Sequence, residues 1–339
     1  MWKAGFKWMY LILGTVIGAG YASGRELWQF FGFESGLAII LFTFFFIICC
    51  YVIMKISYEE KSEHFSPVLE RLVGAKLSYV YDLLIVMYLF TTTVVMIAGG
   101  GATLQGLTVP YWIGILIFCF LLVLLFFWDV KGILSLNSVL IPILLLGLGY
   151  VLFHFHTEHV HIWTFNWKEQ YNWPAAFTFT SLNILSIVAV LSAIGKEIKD
   201  LNEAKIASVG SGLILGAVSY LYNETLTQLA DKISGFEIPL FAILDESPFI
   251  MFLAMSIVLW MAIYTTAAAG VFGLATRFKN YFKIPLWQMA SVLIILMVPF
   301  TKFGFATLVS ILYPLYALIN LYLVVTILLF PITNRYKWD

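Results

Sequence analysis

Charged residues are scarce in this 339-residue chain: they make up 11% of it, and 19 basic residues balance 19 acidic ones. A soluble domain carries about 25% charged residues. The shortage excludes a water-exposed surface of ordinary extent, and the 62% content of hydrophobic residues predicts a protein surrounded by membrane lipid. Because there is no basic excess to neutralise phosphates, we expect no nucleic-acid partner.

Cysteine is scarce too, and the common catalytic motifs are missing. Cys49, Cys50 and Cys119 lie in apolar runs, so a disulfide framework is not expected. There is no glycine-rich phosphate loop of the Walker type, which argues against ATP as the energy source. Without a nucleophile–base pair or a zinc motif, we expect neither an enzyme nor a bound cofactor.

Long apolar segments are what the chain has instead. A helix needs about 20 apolar residues to cross the hydrocarbon core of a bilayer. We therefore predict an all-α polytopic membrane protein with ten transmembrane spans, at residues 5–31, 35–57, 77–104, 110–128, 133–153, 174–197, 203–227, 248–276, 284–300 and 304–330.

The basic residues predict the orientation of these spans. Most of the 19 lie in segments on the same side as the N-terminus, so the positive-inside rule places both termini in the cytoplasm of a cell-membrane protein. Lys3 and Lys7, followed by an apolar stretch and small residues, also resemble a signal peptide. The internal partner of this segment, described next, favours a retained first span.

The sequence contains an internal repeat. Gly24-Arg25-Glu26 in span 1 matches Gly195-Lys196-Glu197 in span 6, and Phe90-Thr91-Thr92 in span 3 matches Tyr264-Thr265-Thr266 in span 8. Five such matches occur in order at offsets of 171 to 176 residues, which predicts two repeats of five spans. An odd number of spans inverts the second copy. We therefore divide the chain into a first repeat (1–153), an extracellular loop (154–173), an inverted second repeat (174–330) and a cytoplasmic tail (331–339).

Glycines in the middle of span 1 predict an interrupted helix. Each interior glycine costs about 0.8–1.0 kcal/mol relative to alanine, and paired interruptions mark a midplane binding site in transporters. Close packing of helices through small residues is the alternative explanation. The candidate substrate-binding residues are Gly18, Ala19, Gly20, Tyr21 and Ser23 in span 1, and Asn183, Ser186 and Ser192 in span 6. None of these side chains carries a full charge, which favours a small zwitterion or a neutral solute.

With these features the chain resembles the amino acid–polyamine–organocation (APC) superfamily of transporters, which have the LeuT-type fold of two inverted five-helix repeats with helices 1 and 6 interrupted. The resemblance is carried by Gly18-Ala19-Gly20, by the polar region before Gly195 and by Thr265-Thr266. Within that superfamily, the segment GTVIGAGYASGRE at residues 14–26 and the chain length resemble the YkvI-type bacterial membrane proteins.

The resemblance implies a sodium site between the backbone of span 1 and the hydroxyls of span 8. The matching positions are the carbonyls of Gly14, Ile17 and Ala262 and the side chains of Thr265 and Thr266. Alternatively, these hydroxyls bond only to carbonyls of their own helix. Proton-driven relatives can place a lysine in span 5, and its absence here favours sodium. The resemblance also makes Arg25 a candidate gate, while the symmetry-related Glu26 and Glu197 are candidate proton carriers.

The expected function is ion-coupled secondary transport of a small organic solute by alternating access, with sodium as the favoured ion and an amino acid as the favoured solute. The alternatives are a proton-coupled transporter, a channel, and a non-transporting sensor or receptor subunit on the same fold. His154, His156, His159 and His161 are expected to be solvated loop residues rather than metal ligands.

Overall fold

A computed structural model of the chain describes residues 2–127, 131–159, 169–245, 247–282 and 284–333. All regular elements in these ranges are helices, which confirms the predicted fold class. They are α1 (Trp2–Val16), α2 (Ala19–Ala22), α3 (Arg25–Phe30), α4 (Gly36–Glu60), α5 (Phe65–Val73), α6 (Ala75–Gly106), α7 (Tyr111–Phe127), α8 (Lys131–His159), α9 (Ala175–Ser192), α10 (Leu201–Gln228), α11 (Ala230–Ile233), α12 (Pro239–Leu244), α13 (Phe249–Phe282), α14 (Leu286–Met297) and α15 (Phe305–Thr333), with 3-10 turns at Gly195–Glu197 and Val298–Phe303.

The chain is a multi-pass membrane protein. Eight helices of the described ranges are long and apolar enough to cross a bilayer, and α7 is a shorter apolar helix of 17 residues. The first apolar segment is divided among α1, α2 and α3. These segments follow the ten predicted spans closely, although the number of crossings itself stays a prediction.

The predicted interruption of span 1 is present. Helix α1 ends at Val16, because the Gly18 amide donates to the Val16 carbonyl at 2.8 Å instead of continuing the i to i−4 ladder to Gly14. A second corner follows at Gly24, whose φ of 79° lies in the left-handed region. Span 1 is thus a helix followed by two short helical pieces.

At the predicted interruption of span 6 the structure has the end of helix α9 at Ser192 and a 3-10 turn at Gly195–Glu197, with no second helical piece of the span. Helix α9 runs without a break through Asn183 and Ser186 and ends at Ser192. The Ser62 hydroxyl, just after α4, donates to the Ser192 carbonyl at 2.6 Å and so satisfies a carbonyl at this helix end. This helix end is therefore well removed along the chain from Asn183.

The long helices pack in two groups. In one group α10 packs on α1 and α4, and α9 packs on the same two helices; in the other group α6, α7, α13 and α14 contact one another. Helix α15 packs on α9, α4 and α6, while α8 packs on α13, α1 and α10. Small residues allow close approach between the helices, for example where Gly270 of α13 faces Thr93 of α6.

Two expectations about the connections need correction. Helix α8 continues through His159, so the first part of the loop predicted at 154–173 is helical. His156 on that helix is buried, with 4% of its surface exposed, rather than solvated. The side chain of His159 and all of His161 lie outside the described residues, and no cluster of metal-binding side chains occurs among the residues that are described.

Candidate functional site

A cavity of about 620 Å³ lies between the two groups of helices, beside the interruption of span 1. Its walls come from α1, α6, α9, α13 and α15, and it reaches Lys7, whose side chain is 63% exposed. Six of the predicted site residues line this one cavity: Gly14, Gly18, Glu26, Asn183, Ser186 and Thr266. The structure thus brings together candidates that were taken from spans 1, 6 and 8.

The opposite side of the interruption is covered. All six residues of α12 are buried. The Leu240 amide at its start donates to the Ser23 carbonyl at 2.9 Å, which ties this short helix to the corner between α2 and α3. The cavity therefore extends toward the Lys7 end of α1, while α12 packs over the other end.

The predicted cation ligands lie on neighbouring elements. A Cβ atom added to Gly18 would be 3.8 Å from the methyl carbon of Thr266, so the interruption contacts α13. The hydroxyls of Thr265 and Thr266 donate to the Ala262 carbonyl at 3.1 Å and 2.8 Å. Hydrogen bonds to carbonyls of the same helix are what the alternative to a sodium site predicted. Each hydroxyl oxygen keeps acceptor capacity after donating.

The backbone of span 1 contributes to the same region. Because the Gly18 amide donates to Val16, the Gly14 carbonyl loses its regular helical donor. Gly14 lines the cavity, and Ile17, three residues further along the chain, is buried with 1% of its surface exposed. Carbonyl and hydroxyl oxygens are the ligands that hard cations prefer.

Arg25 and Glu26 face different cavities although they are adjacent in sequence. Glu26 is 6% exposed and lines the central cavity, where its side chain packs directly on Gly20. Arg25 lines a separate cavity of about 460 Å³ together with Trp28 and Glu237. Glu237 interacts electrostatically with Arg25 and accepts a hydrogen bond from the Ala306 amide at 2.6 Å. The candidate substrate-binding side chains carry no full charge, and Glu26, predicted as a proton carrier, adds a carboxyl group to the wall of the same cavity.

Two predicted substrate-binding side chains, those of Tyr21 and Ser23, bond to other parts of the protein, and a third, that of Ser192, lies away from the cavity. The Tyr21 hydroxyl donates to the Leu215 carbonyl at 3.0 Å and lies 2.9 Å from the Ser219 hydroxyl, so it packs α2 on α10. The Ser23 hydroxyl donates to the Gly20 carbonyl at 3.0 Å, and Ser192 lies at the end of α9. These three do not line the cavity, and the side chain of Ala19 lies outside the described residues.

Glu197 does not share the environment of Glu26. Its carboxylate accepts from the Lys7 ammonium group at 2.9 Å, and 59% of its side chain is exposed. Next to it, Lys196 donates to Glu63 at 2.7 Å, and this hydrogen bond lowers the pKa of the Glu63 carboxyl. Glu26 and Glu197 are thus matched in sequence, but Glu26 lines the central cavity and Glu197 does not.

Sequence reasoning missed the four aromatic residues of the cavity, Trp8, Tyr10, Tyr88 and Tyr313. Tyr88 of α6 and Tyr313 of α15 line it close enough to Glu26 to interact electrostatically, and the Tyr88 hydroxyl interacts with Ser186. Trp8 lines the mouth and donates to Glu203 of α10 at 3.1 Å. A usable signal was present, because tyrosine and tryptophan buried in apolar segments carry a polar group that needs a partner.

A sequence relative decides the family. The protein YyaD of Bacillus subtilis (strain 168) is 58% identical over 337 residues, which cover 99% of this chain and all of YyaD. The chain belongs to the YyaD family. No protein-family model matches the sequence. A more distant relative is the membrane protein YkvI of Bacillus subtilis (strain 168). It is 23% identical to this chain over 321 residues, which cover 92% of each of the two chains.

Solved structures show the fold of this YyaD family member. MhsT in complex with L-phenylalanine has a TM-score of 0.68 at 13% identity, over 98% of this chain and 89% of MhsT. The manganese transporter of Eremococcus coleocola has a TM-score of 0.58 at 13% identity, over 96% and 75%. A Na⁺-coupled sialic acid symporter has a TM-score of 0.53 at 12% identity, over 97% and 86%. The fold is therefore of the LeuT type, as the resemblance implied.

Proposed function

We propose that this protein is a secondary transporter of the APC superfamily that moves a small organic solute, with sodium as the coupling ion. Amino acids are the class of such solutes that the sequence favours. The observation that carries the proposal is the central cavity, which lies at the interruption of span 1 between two groups of helices. The solved structures of similar fold, which include a Na⁺-coupled symporter and a transporter bound to L-phenylalanine, support it.

Alternating access would come from movement between the two groups of helices. With the predicted cytoplasmic termini, the cavity faces the cytoplasm, because Lys7 near the N-terminus lies at its mouth. Helix α12 then covers the extracellular side, where Arg25 and Glu237 line the second cavity and act as an outer gate. Opening that side requires α12 to move away from Ser23.

Sodium would bind between the first interruption and α13. The Gly14 and Ile17 carbonyls, the Ala262 carbonyl and the hydroxyls of Thr265 and Thr266 supply only oxygen ligands. Loss of the helical donor at Gly14 supports this assignment, since an unpaired carbonyl inside a membrane needs a cavity or a ligand. The cation would couple its gradient to solute binding by joining the two helix groups.

Replacing Thr266 with valine is expected to weaken sodium binding by about tenfold, because the variant keeps the shape of the side chain and loses one oxygen ligand. The measurement is the thermal unfolding temperature of the purified protein in NaCl and in choline chloride, since a cation that binds the folded state raises it. Thr276→Val is the matched control, because Thr276 is exposed on the same helix and its hydroxyl also donates one turn back, to Phe272 at 2.8 Å. A sodium response that is equal in both variants would contradict the site.

The function itself is tested by uptake of labelled amino acids and amines into liposomes that contain the purified protein. We expect accumulation under an inward sodium gradient. A separate proton-gradient arm is needed because the carboxyl of Glu26 lines the cavity, which makes proton coupling the second candidate. Uptake that depends on neither gradient would contradict coupled transport, and binding without uptake would indicate a sensor.

A further inference from the structure

The deep part of the central cavity carries one formal charge. Among the described residues that line it, Glu26 is the only acid and Lys7 is the only base. Lys7 lies at the exposed mouth and is already paired with Glu197 at 2.9 Å. Among the described residues, the acidic side chain that a solute meets beside the interruption of span 1 is therefore Glu26.

The carboxylate of Glu26 has no protein partner in the described part of the chain. It makes no hydrogen bond and no salt bridge there, although only 6% of the residue is exposed. Its Cγ and Cδ atoms pack so closely on Gly20 that a Cβ there would lie 2.5 Å from each of them. An unpaired carboxylate at this depth is costly, so acids inside membrane proteins are usually paired or bind something.

The surroundings of Glu26 suit an ammonium group attached to an apolar body. Tyr88 and Tyr313 line the cavity within electrostatic range of the carboxylate, and aromatic faces attract cations. Leu89, Met96 and Leu182 provide apolar wall in the same cavity. A zwitterion also has a carboxylate, which needs a cationic partner. The described residues that line the deep part of the cavity include no cationic side chain.

We propose that Glu26 binds the ammonium group of an amine that has an apolar body and no carboxylate. This inference rests on the proposed function only in taking the central cavity as the solute site. It changes the favoured class of small organic solute from amino acids to monocationic amines. The pairing would neutralise both charges in the low-dielectric interior.

Three probes with the same phenyl ring test the charge preference: 2-phenylethylamine, L-phenylalanine and 3-phenylpropionate, which are a cation, a zwitterion and an anion. Binding to the full-length protein in detergent with NaCl is measured by calorimetry and by thermal unfolding. We expect 2-phenylethylamine to bind most tightly. In Glu26→Gln its affinity should fall about 30-fold or more, as when one partner of a buried charge pair is removed.

Two further variants separate binding from folding. Glu26→Asp keeps the charge and should retain more affinity than Glu26→Gln. Glu224→Gln removes another partly buried acid, on α10 outside the cavity, and should bind 2-phenylethylamine as the wild type does. All variants are compared by size-exclusion chromatography and by unfolding temperature without ligand.

The inference is overturned if 2-phenylethylamine does not bind the wild type, if L-phenylalanine binds as tightly, or if Glu26→Gln leaves the amine affinity unchanged. These outcomes are distinct from failure of the proposed function. Binding of the amine through Glu26 with no transport in liposomes would overturn transport alone, whereas sodium-driven uptake of L-phenylalanine with no amine binding would overturn this inference alone.

Discussion

Gly195→Ala is expected to destabilise the protein by about 3 kcal/mol or more. The new Cβ would collide with the backbone carbonyl oxygen of Ser57 and lie 2.7 Å from the Ser62 amide nitrogen. Both neighbours are main-chain atoms, so no side-chain rotation relieves the contact. Gly195 lies where the ends of α4 and α9 meet, and the Lys196 amide there donates to the Ser62 carbonyl at 3.3 Å.

The measurement for Gly195→Ala is the free energy of unfolding in a sodium dodecyl sulfate titration of detergent-purified protein. Gly149→Ala is the control, because Gly149 lies inside α8 with no atom within 4 Å of an added Cβ. It should be neutral or stabilising by up to about 1 kcal/mol, since alanine has the higher helix propensity. Equal stability of the two variants would show that the ends of α4 and α9 are not in the close contact described.

Gly24→Ala is expected to cost about 3 kcal/mol, from two sources. At a φ of 79° an alanine has left-handed backbone strain of about 1–2 kcal/mol. In addition, its Cβ would lie 2.8 Å from the ring of Tyr222, a fully buried residue whose hydroxyl donates to the Ala22 carbonyl at 3.1 Å. Overpacking of this kind adds about 1–3 kcal/mol.

Gly32→Ala separates the strain from the collision. Gly32 also has a positive φ, of 60°, but an added Cβ would make only an ordinary contact, 3.6 Å from the Trp28 carbonyl oxygen. It should therefore cost less than Gly24→Ala in the same titration. In a Tyr222→Leu background the Gly24→Ala cost should fall toward that of Gly32→Ala, and an undiminished cost would contradict the role given to Tyr222.

Much of the fold could be predicted because lipid restricts the choices. The apolar segments, the interruption in span 1 and the two repeats follow from segment length, glycine content and the internal matches, and the LeuT-type fold is what the family resemblance implied. The position of the interruption was predicted to within two residues, since Val16 ends the helix and Gly18 begins the candidate segment.

The candidate site was predicted only in part. Gly14, Gly18, Asn183, Ser186 and Thr266 do line one cavity. Tyr21 was misplaced, because helix periodicity does not say which neighbour a short helix will meet, and α2 turns this side chain toward α10. Tyr88 and Tyr313 were missed for the same reason, since they come from helices far apart in sequence.

The repeated Gly-Arg/Lys-Glu tripeptide separates what the sequence determined from what the tertiary structure decided. The sequence alone determined that two related segments carry a glycine, a base and an acid in the same order. The tertiary structure decided their roles. Gly24 adopts a left-handed turn beneath Tyr222, whereas Gly195 lies against the backbone at the end of α4. Glu26 is buried in a cavity, whereas Glu197 pairs with Lys7 at the surface. The reason is that the cost of a carboxylate depends on the solvent and partners around it, and those depend on which helices pack beside it.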